Sequence, residues 1–140
     1  MEMFDYFKKA VFENYANFSG RARRKEYWYF CLTLFILNML MQVISAISSV
    51  ESSSSILVLG LSIVLLLAYM CLIIPNISLS IRRLHDIGKS GWYLLIGFIP
   101  LVGGIILLVW FCREGETGPN KWGPDPKDPT LQNEVLNAFK

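Results

Sequence analysis

Charged side chains are almost absent from the middle of this 140-residue chain. Between Glu26 and Arg113 only five residues carry a formal charge: Glu51, Arg82, Arg83, Asp86 and Lys89. Three uncharged tracts result, over residues 27–50, 52–81 and 90–112. A water-soluble domain of this size cannot bury so much apolar chain and still cover its surface with polar groups. The lack of charge therefore excludes a soluble globular protein and a disordered chain, and a net charge of +2 gives no support for a nucleic-acid partner.

Histidine and cysteine are scarce as well, with one and three residues. His85 lies beside Asp86, a pair found in metal-dependent phosphohydrolases, but no second histidine is present to complete a coordination shell. The cysteines lie in or at the edge of apolar tracts without metal-ligand spacing, at Cys31, Cys71 and Cys112. We therefore expect no metal, cofactor, disulfide or catalytic residue. A membrane enzyme acting on lipid headgroups through His85 and Asp86 is the least favoured of three functional hypotheses.

The three uncharged tracts are long enough to cross a bilayer, since a hydrocarbon core of ~30 Å needs about 20 helical residues. They predict transmembrane helices over about 27–47, 56–77 and 92–112. The tracts lack the alternation of a barrel strand. A cleaved signal peptide does not fit, because 26 residues precede the first tract and the tract is too long.

The third tract has aromatic residues near both ends, Trp92 and Trp110, as expected for two membrane interfaces. Its middle contains Pro100, Gly103 and Gly104. Proline removes a helical hydrogen bond and glycine loosens a helix. A kinked span is the first expectation, because membrane helices tolerate both residues. A re-entrant hairpin, which would return the tail to the cytoplasm, remains open.

The distribution of Lys and Arg predicts the orientation. Six precede the first tract, three lie between the second and third tracts, four lie in the tail, and the loop around residues 48–55 has none. With three alternating spans, the N-terminus is cytoplasmic and the tail is outside. The chain is thus predicted to be a multi-pass protein of the plasma membrane.

Before the first tract, apolar residues recur at helical steps of three and four. They are Phe4, Phe7, Val11, Phe12, Tyr15 and Phe18. The pattern predicts an amphipathic helix over 3–18 that lies in the headgroup plane. Docking of the same face on a partner or on the protein's own loops is an open alternative.

The polar tail, residues 113–140, opens with a segment rich in glycine and proline, which excludes a long helix there. Thr130 is suited to cap a short helix over 130–139. Together these elements predict an all-α integral membrane protein with a single membrane domain over 1–127. Its bundle of three transmembrane helices is preceded by the interfacial helix and followed by the Gly/Pro-rich tail.

Polar residues inside the first two tracts also fall on helical stripes. They are Asn38, Gln42, Ser45 and Ser49 in the first tract, and Ser62, Tyr69 and Asn76 in the second. Uncompensated polar groups are costly in hydrocarbon, so we expect the stripes to face each other. A polar conduit is the alternative, and it makes a small oligomeric transporter or channel the second functional hypothesis.

Three motifs carry a family resemblance. They are the segment from Ser19 to Trp28 (SGRARRKEYW), that from Arg82 to Trp92 (RRLHDIGKSGW), and that from Gly118 to Pro126 (GPNKWGPDP). Over residues 4–127 the chain resembles the YhaH-like small bacterial inner-membrane proteins, domain of unknown function 805. Trp122 stands where that family is expected to have tyrosine. The resemblance implies a bacterial plasma-membrane protein with several helices, and it supplies no assigned reaction and no catalytic residues.

The first functional hypothesis is a non-enzymatic membrane protein whose cytoplasmic-face motif recognises an anionic phospholipid or a partner. Clustered Arg and Lys attract anionic headgroups, although membrane anchoring plus salt bridges is the simpler explanation of the same residues. The expected partners are the lipid bilayer and a second copy or another membrane protein. The candidate residues are Arg21, Arg24, Glu26, Trp28, Arg82, Arg83, His85, Asp86, Lys89, Trp92, Asn120 and Asp125.

Overall fold

The computed structural model describes residues 2–50, 56–128 and 130. Within these ranges the regular structure is helical, which confirms the all-α class, and one isolated bridge joins Asn120 to Gly123. The elements are α1 (Glu2–Lys8), a π-helical segment (Lys9–Glu13), α2 (Arg24–Val50), α3 (Ile56–Cys71), α4 (Ile73–Asp86), a 3₁₀ helix (Gly91–Phe98) and α5 (Val102–Cys112). The helix predicted over 130–139 lies outside the described residues except for Thr130.

Two long apolar helices form the body of the molecule. One is α2, which contains the predicted span 27–47, and the other is the nearly continuous α3–α4, which extends the predicted span 56–77 to Asp86. The backbone N–H of Ala22, just before α2, donates to the carbonyl of Arg82 near the end of α4, at 3.1 Å. The two helices therefore run antiparallel. No residue of α3 is buried, so its apolar side chains face outward, as they do when lipid is the solvent.

The junction between α3 and α4 is held by the N-terminal segment. Pro75 has no N–H, so it cannot donate to the carbonyl of Cys71 four residues earlier. The Tyr15 hydroxyl donates to that carbonyl instead, at 2.8 Å. Nearby, the Ser78 hydroxyl donates to the carbonyl of Asn17 at 2.6 Å. The chain between α1 and α2 is thereby fastened to the proline-containing turn of α4.

The N-terminal helix is shorter than the pattern 3–18 predicts. α1 continues as one π-helical stretch and ends at Glu13, where the Asn14 side chain donates to the carbonyl of Lys9 at 3.3 Å. Asn competes for backbone hydrogen bonds in this way and so favours helix ends.

Part of the apolar face of α1 packs on α2. Tyr6 stacks on Tyr29 and Phe7 on Phe30, with ring centroids 5.7 and 5.9 Å apart. Phe30 is buried and the other three rings are partly buried, so these side chains pack on a helix of the same chain and not on its loops. Other aromatic side chains of the segment remain largely exposed: Phe4 at 69% and Phe12 at 76%.

The third apolar tract differs from the single kinked helix expected over 92–112. The 3₁₀ helix and α5 are antiparallel limbs, and the rings of Tyr93 and Trp110, from opposite ends of the tract, lie 5.6 Å apart. The chain reverses after Pro100, at Leu101, which has φ 65°. Gly103 permits the reversal, because a Cβ there would overlap the carbonyl of Ile96. The structure therefore has the hairpin, and the tail lies at the same end as residues 82–89.

The polar stripes do not face each other as expected. Asn38 and Gln42 are exposed on the outer surface of α2, and the Gln42 amide donates to Asn38 Oδ1 at 2.8 Å. The Ser62 hydroxyl donates to the carbonyl of Val58 in its own helix, at 2.8 Å. Helical periodicity correctly brings Asn38 and Gln42 together on one side of α2, but that side is exposed and does not face the second long helix.

Candidate functional site

A buried ionic cluster lies where α2 begins and α4 ends. Asp86 is its centre: Oδ1 accepts from Arg21 Nε at 3.0 Å and Oδ2 accepts from Arg83 Nη1 at 2.5 Å. The three side chains are only 3%, 1% and 0% exposed. Burial of a lone charge is energetically costly. In this cluster the carboxylate neutralises the two buried guanidinium groups, so removal of any one member would leave a buried charge without compensation.

The remaining donors of the two arginines bind backbone carbonyls after the hairpin. Arg83 donates to the carbonyls of Phe111, at 3.3 Å, and Arg113. Arg21 donates to the carbonyls of Glu116 and Gly118, the latter at 2.6 Å. Carbonyls at the end of a helix lack helical partners, and basic side chains satisfy them favourably. The cluster thus caps α5 and fixes the first residues of the tail.

Backbone contacts close the tail onto Asp86. The N–H of Glu116 donates to the carbonyl of Asp86 at 2.8 Å. The preceding residue has to be glycine, because a Cβ on Gly115 would overlap the Asp86 carboxylate. Gly115 thereby allows the tail to pass directly over the buried ion pair.

Glu26 forms a second ion pair beside the first. Its carboxylate lies 3.5 Å from Arg82 Nη1 and 3.3 Å from Lys9 Nζ. Glu26 and Arg82 are buried, whereas Lys9 is half exposed. This pair connects the start of α2 with α4 and with the N-terminal segment.

His85 is covered by the tail. Its ring stacks on Trp122 with a centroid distance of 3.9 Å and an interplanar angle of 5°, and its Nδ1 lies 3.1 Å from the carbonyl of Gly20. The Asn120 side chain donates to the carbonyl of His85 at 2.9 Å. Trp122, the residue that departs from the family pattern, is thus the aromatic partner of the histidine.

Asp125 stabilises the turn that carries Asn120 and Trp122. Its carboxylate accepts from the backbone N–H groups of Lys127 and Gly118, both at 2.9 Å. The Lys127 hydrogen bond, followed by that of Gly118, holds the pKa of Asp125 below its ordinary value. The turn therefore gains stability above the ordinary pKa of an aspartate and loses it as pH falls through the lowered value.

Three of the candidate residues lie outside this cluster. Lys89 Nζ sits over the Trp110 ring at 4.3 Å and therefore braces the hairpin. Trp92 is 79% exposed and lines an apolar groove of about 440 Å³ together with Trp122. Trp28 packs edge-to-face on Tyr27, with the ring centroids 5.5 Å apart. The structure brings the other nine together at one end of the helix pair: Arg21, Arg24, Glu26, Arg82, Arg83, His85, Asp86, Asn120 and Asp125.

Arg24 and Trp28 belong to a second groove of about 580 Å³ at the outer surface. Its other lining residues are Lys25, Tyr29 and Leu32 of α2 and Cys112 of α5. Arg24 is oriented by the Cys112 carbonyl at 3.1 Å and by the exposed carboxylate of Glu114 at 2.7 Å. The groove lining therefore combines basic, aromatic and aliphatic side chains.

Sequence reasoning missed the tail residues that complete the cluster, Gly115, Glu116 and Gly118. The available signal was the glycine that follows the third apolar tract, since a glycine next to a buried site permits a close backbone approach. Among residues 2–50, 56–128 and 130, no group of three or more His, Cys, Asp and Glu side chains is arranged to hold a metal ion.

Two features define the class of protein. The long helices expose apolar side chains, and a buried polar cluster lies at one end of the helix pair, as in a helical membrane protein. The similarity to known sequences then gives the family. Residues 15–124 match the family described as "Protein of unknown function (DUF805)", and the chain belongs to that family. This confirms the resemblance carried by the three motifs.

Two relatives in Escherichia coli K12 are inner membrane proteins. The inner membrane protein YhaI is 45% identical over 118 residues, which cover 84% of this chain and 92% of YhaI. The inner membrane protein YhaH is 35% identical over 123 residues, which cover 88% of this chain and 97% of YhaH. No solved structure matches the chain.

Proposed function

We propose that the chain crosses the inner membrane twice, through α2 and α3–α4, and that the 3₁₀ helix and α5 form a re-entrant hairpin. At 1.5 Å per residue the 11 residues of α5 extend about 16 Å, half of a hydrocarbon core. The hairpin brings the tail to the end where α2 begins. The twelve Lys and Arg residues of the described ranges then flank one membrane face, and the loop around 48–55 on the other face has none. The positive-inside rule makes the basic face cytoplasmic.

Cysteine labelling tests this topology. In a background with Cys31, Cys71 and Cys112 replaced by alanine, we expect Ser53→Cys to react with a membrane-impermeant maleimide added to spheroplasts. Thr117→Cys should react only after the membrane is permeabilised. Labelling of Thr117→Cys in intact spheroplasts would contradict the re-entrant hairpin and support a third span.

We propose further that the protein is non-enzymatic and binds anionic phospholipid in the groove of Arg24, Lys25, Trp28, Tyr29 and Leu32. The observation that carries this function is the order of the groove residues along the start of α2. Two cations come first, an aromatic pair follows, and an aliphatic residue is deepest. A phospholipid has the same order of phosphate, interface and acyl chain.

Lys25 is the phosphate ligand in this proposal. Arg24 is partly engaged by Glu114 and Cys112, whereas the structure gives Lys25 no ion pair within residues 2–50, 56–128 and 130. By contrast, Arg21 and Arg83 are buried and bound to Asp86 and to carbonyls, so we assign them a structural role. The proposed lipid site therefore keeps Arg24 and Trp28 of the twelve candidate residues and adds Lys25, Tyr29 and Leu32.

Native mass spectrometry of the detergent-purified protein tests the lipid site. The wild type should retain phosphatidylglycerol in preference to phosphatidylcholine. A Lys25→Gln/Trp28→Leu variant should retain several-fold less phosphatidylglycerol, because each basic residue near an anionic surface contributes about 1 kcal/mol, or about fivefold.

The matched control is Lys121→Gln/Trp92→Leu, which removes one lysine and one exposed tryptophan outside the groove. It should bind phosphatidylglycerol as the wild type does. Equal losses in the two variants, or a wild type without preference for the anionic lipid, would show that the groove is not the binding site.

A further inference from the structure

An amide pair is exposed on α2 where the surrounding surface is apolar. Asn38 and Gln42 are joined by one hydrogen bond of 2.8 Å and are both exposed. Neighbouring side chains on the outer surface are apolar and also exposed: Phe35 at 59%, Met39 at 40% and Val43 at 55%. Asn38 lies about 21 Å along the helix from Arg24, at 1.5 Å per residue. The pair is therefore well inside the hydrocarbon, where unsatisfied polar groups are costly.

The internal hydrogen bond leaves complementary groups on the two side chains. It uses Gln42 Nε2 as donor and Asn38 Oδ1 as acceptor, so the Asn38 amide can still donate and Gln42 Oε1 can still accept. Within residues 2–50, 56–128 and 130, neither side chain makes another hydrogen bond. A partner that satisfies the Asn38 amide and Gln42 Oε1 has to present a hydrogen-bond acceptor and a donor at the depth of this pair in the membrane.

A second copy of this chain meets that requirement. In the proposed topology every copy has the same orientation, so Asn38 lies at the same depth in each copy, and so does Gln42. A two-fold axis along the membrane normal lets the Asn38 amide of each copy donate to Gln42 of the other, and the interface is isologous. Hydrogen bonds between Asn and Gln side chains of different transmembrane helices stabilise their association.

We propose that the Asn38–Gln42 face of α2 joins two copies of the chain into a parallel homodimer within the membrane. This interface is separate from the lipid groove near Arg24 and does not depend on the proposed lipid binding. It also explains why a polar stripe turns outward from the helix pair: its partner is the same stripe on a second molecule.

Single-molecule photobleaching in phosphatidylcholine vesicles tests the proposal, with the label on Thr117→Cys in the cysteine-free background. At a fixed protein-to-lipid ratio the wild type should show two-step bleaching that declines on dilution with lipid. Asn38→Leu/Gln42→Leu, which keeps similar side-chain sizes, should weaken the dimer by about tenfold.

The control is Leu40→Ala, which alters an exposed residue, 52% accessible, on another side of α2 and should leave the dimer unchanged. Thermal unfolding in detergent should be the same for the Asn38→Leu/Gln42→Leu variant as for the wild type, which separates dimerisation from folding. A wild type that is monomeric at all protein-to-lipid ratios would overturn the proposal. So would a dimer equally strong in the Asn38→Leu/Gln42→Leu variant.

Discussion

Replacing Asp86 with alanine is expected to destabilise the protein by about 3–5 kcal/mol, because it leaves Arg21 and Arg83 buried without a counter-charge. The loss is large relative to the total stability of a small domain. We expect little monodisperse protein after detergent extraction and a much lower unfolding temperature for the fraction that folds. Asp86→Asn should be intermediate, since it keeps the shape of the side chain and part of its hydrogen bonding but not its charge.

The matched control is Glu114→Gln, which removes an acidic partner of Arg24 and Lys127 at the exposed edge of the same region. Exposed ion pairs are screened by solvent and contribute little, so this variant should unfold near the wild-type temperature. If Asp86→Ala unfolded at the wild-type temperature as well, the ionic cluster would not be the structural centre described above.

Gly103→Ala is the second change with a large expected effect. Its Cβ would overlap the backbone carbonyl of Ile96, which cannot move aside as a flexible side chain can. The 3₁₀ helix and α5 therefore have to separate, and the cluster that Arg83 forms with the carbonyls after α5 is disturbed. We expect a destabilisation of about 1–3 kcal/mol, as for other overpacked sites, measured by thermal unfolding in detergent.

Gly104→Ala provides a control one residue away. A Cβ on Gly104 meets no atom within 4 Å, and alanine is the better helix former. This variant should be neutral or slightly more stable. Similar effects of the two substitutions would indicate that α5 and the 3₁₀ helix do not pack closely at Gly103.

The two long helices and the polar end of the molecule could be predicted. Both follow from the positions of charged residues along the chain: long uncharged tracts form the helices, and the charged residues at the ends of the tracts form the polar end. Uncharged tracts marked α2 and α3, and the charges of Arg21, Arg83 and Asp86 fell at tract ends that an antiparallel pair brings together. Pairing of opposite charges at such a boundary follows from the cost of burying them alone.

The sequence did not decide between the hairpin and a kinked span. Pro100 and Gly103 are compatible with a kinked membrane helix and with a chain reversal. The choice depends on a contact between Gly103 and the Ile96 backbone, and local sequence does not specify such a contact. Glu116 and Gly118 were missed for a similar reason: Arg21 binds their backbone carbonyls, and because every residue has a carbonyl, such contacts cannot be recognised in the sequence.

The partners of Arg21 have a consequence for biosynthesis. The arginine lies 95 and 97 residues before the two carbonyls that it binds. At about 5–20 residues per second, a ribosome needs roughly 5–20 s to make the intervening chain. During that interval Arg21 cannot make these two hydrogen bonds, because the residues that accept them have not yet been synthesised. The ionic cluster around Asp86 can therefore be completed only after residues 116–118 have been translated.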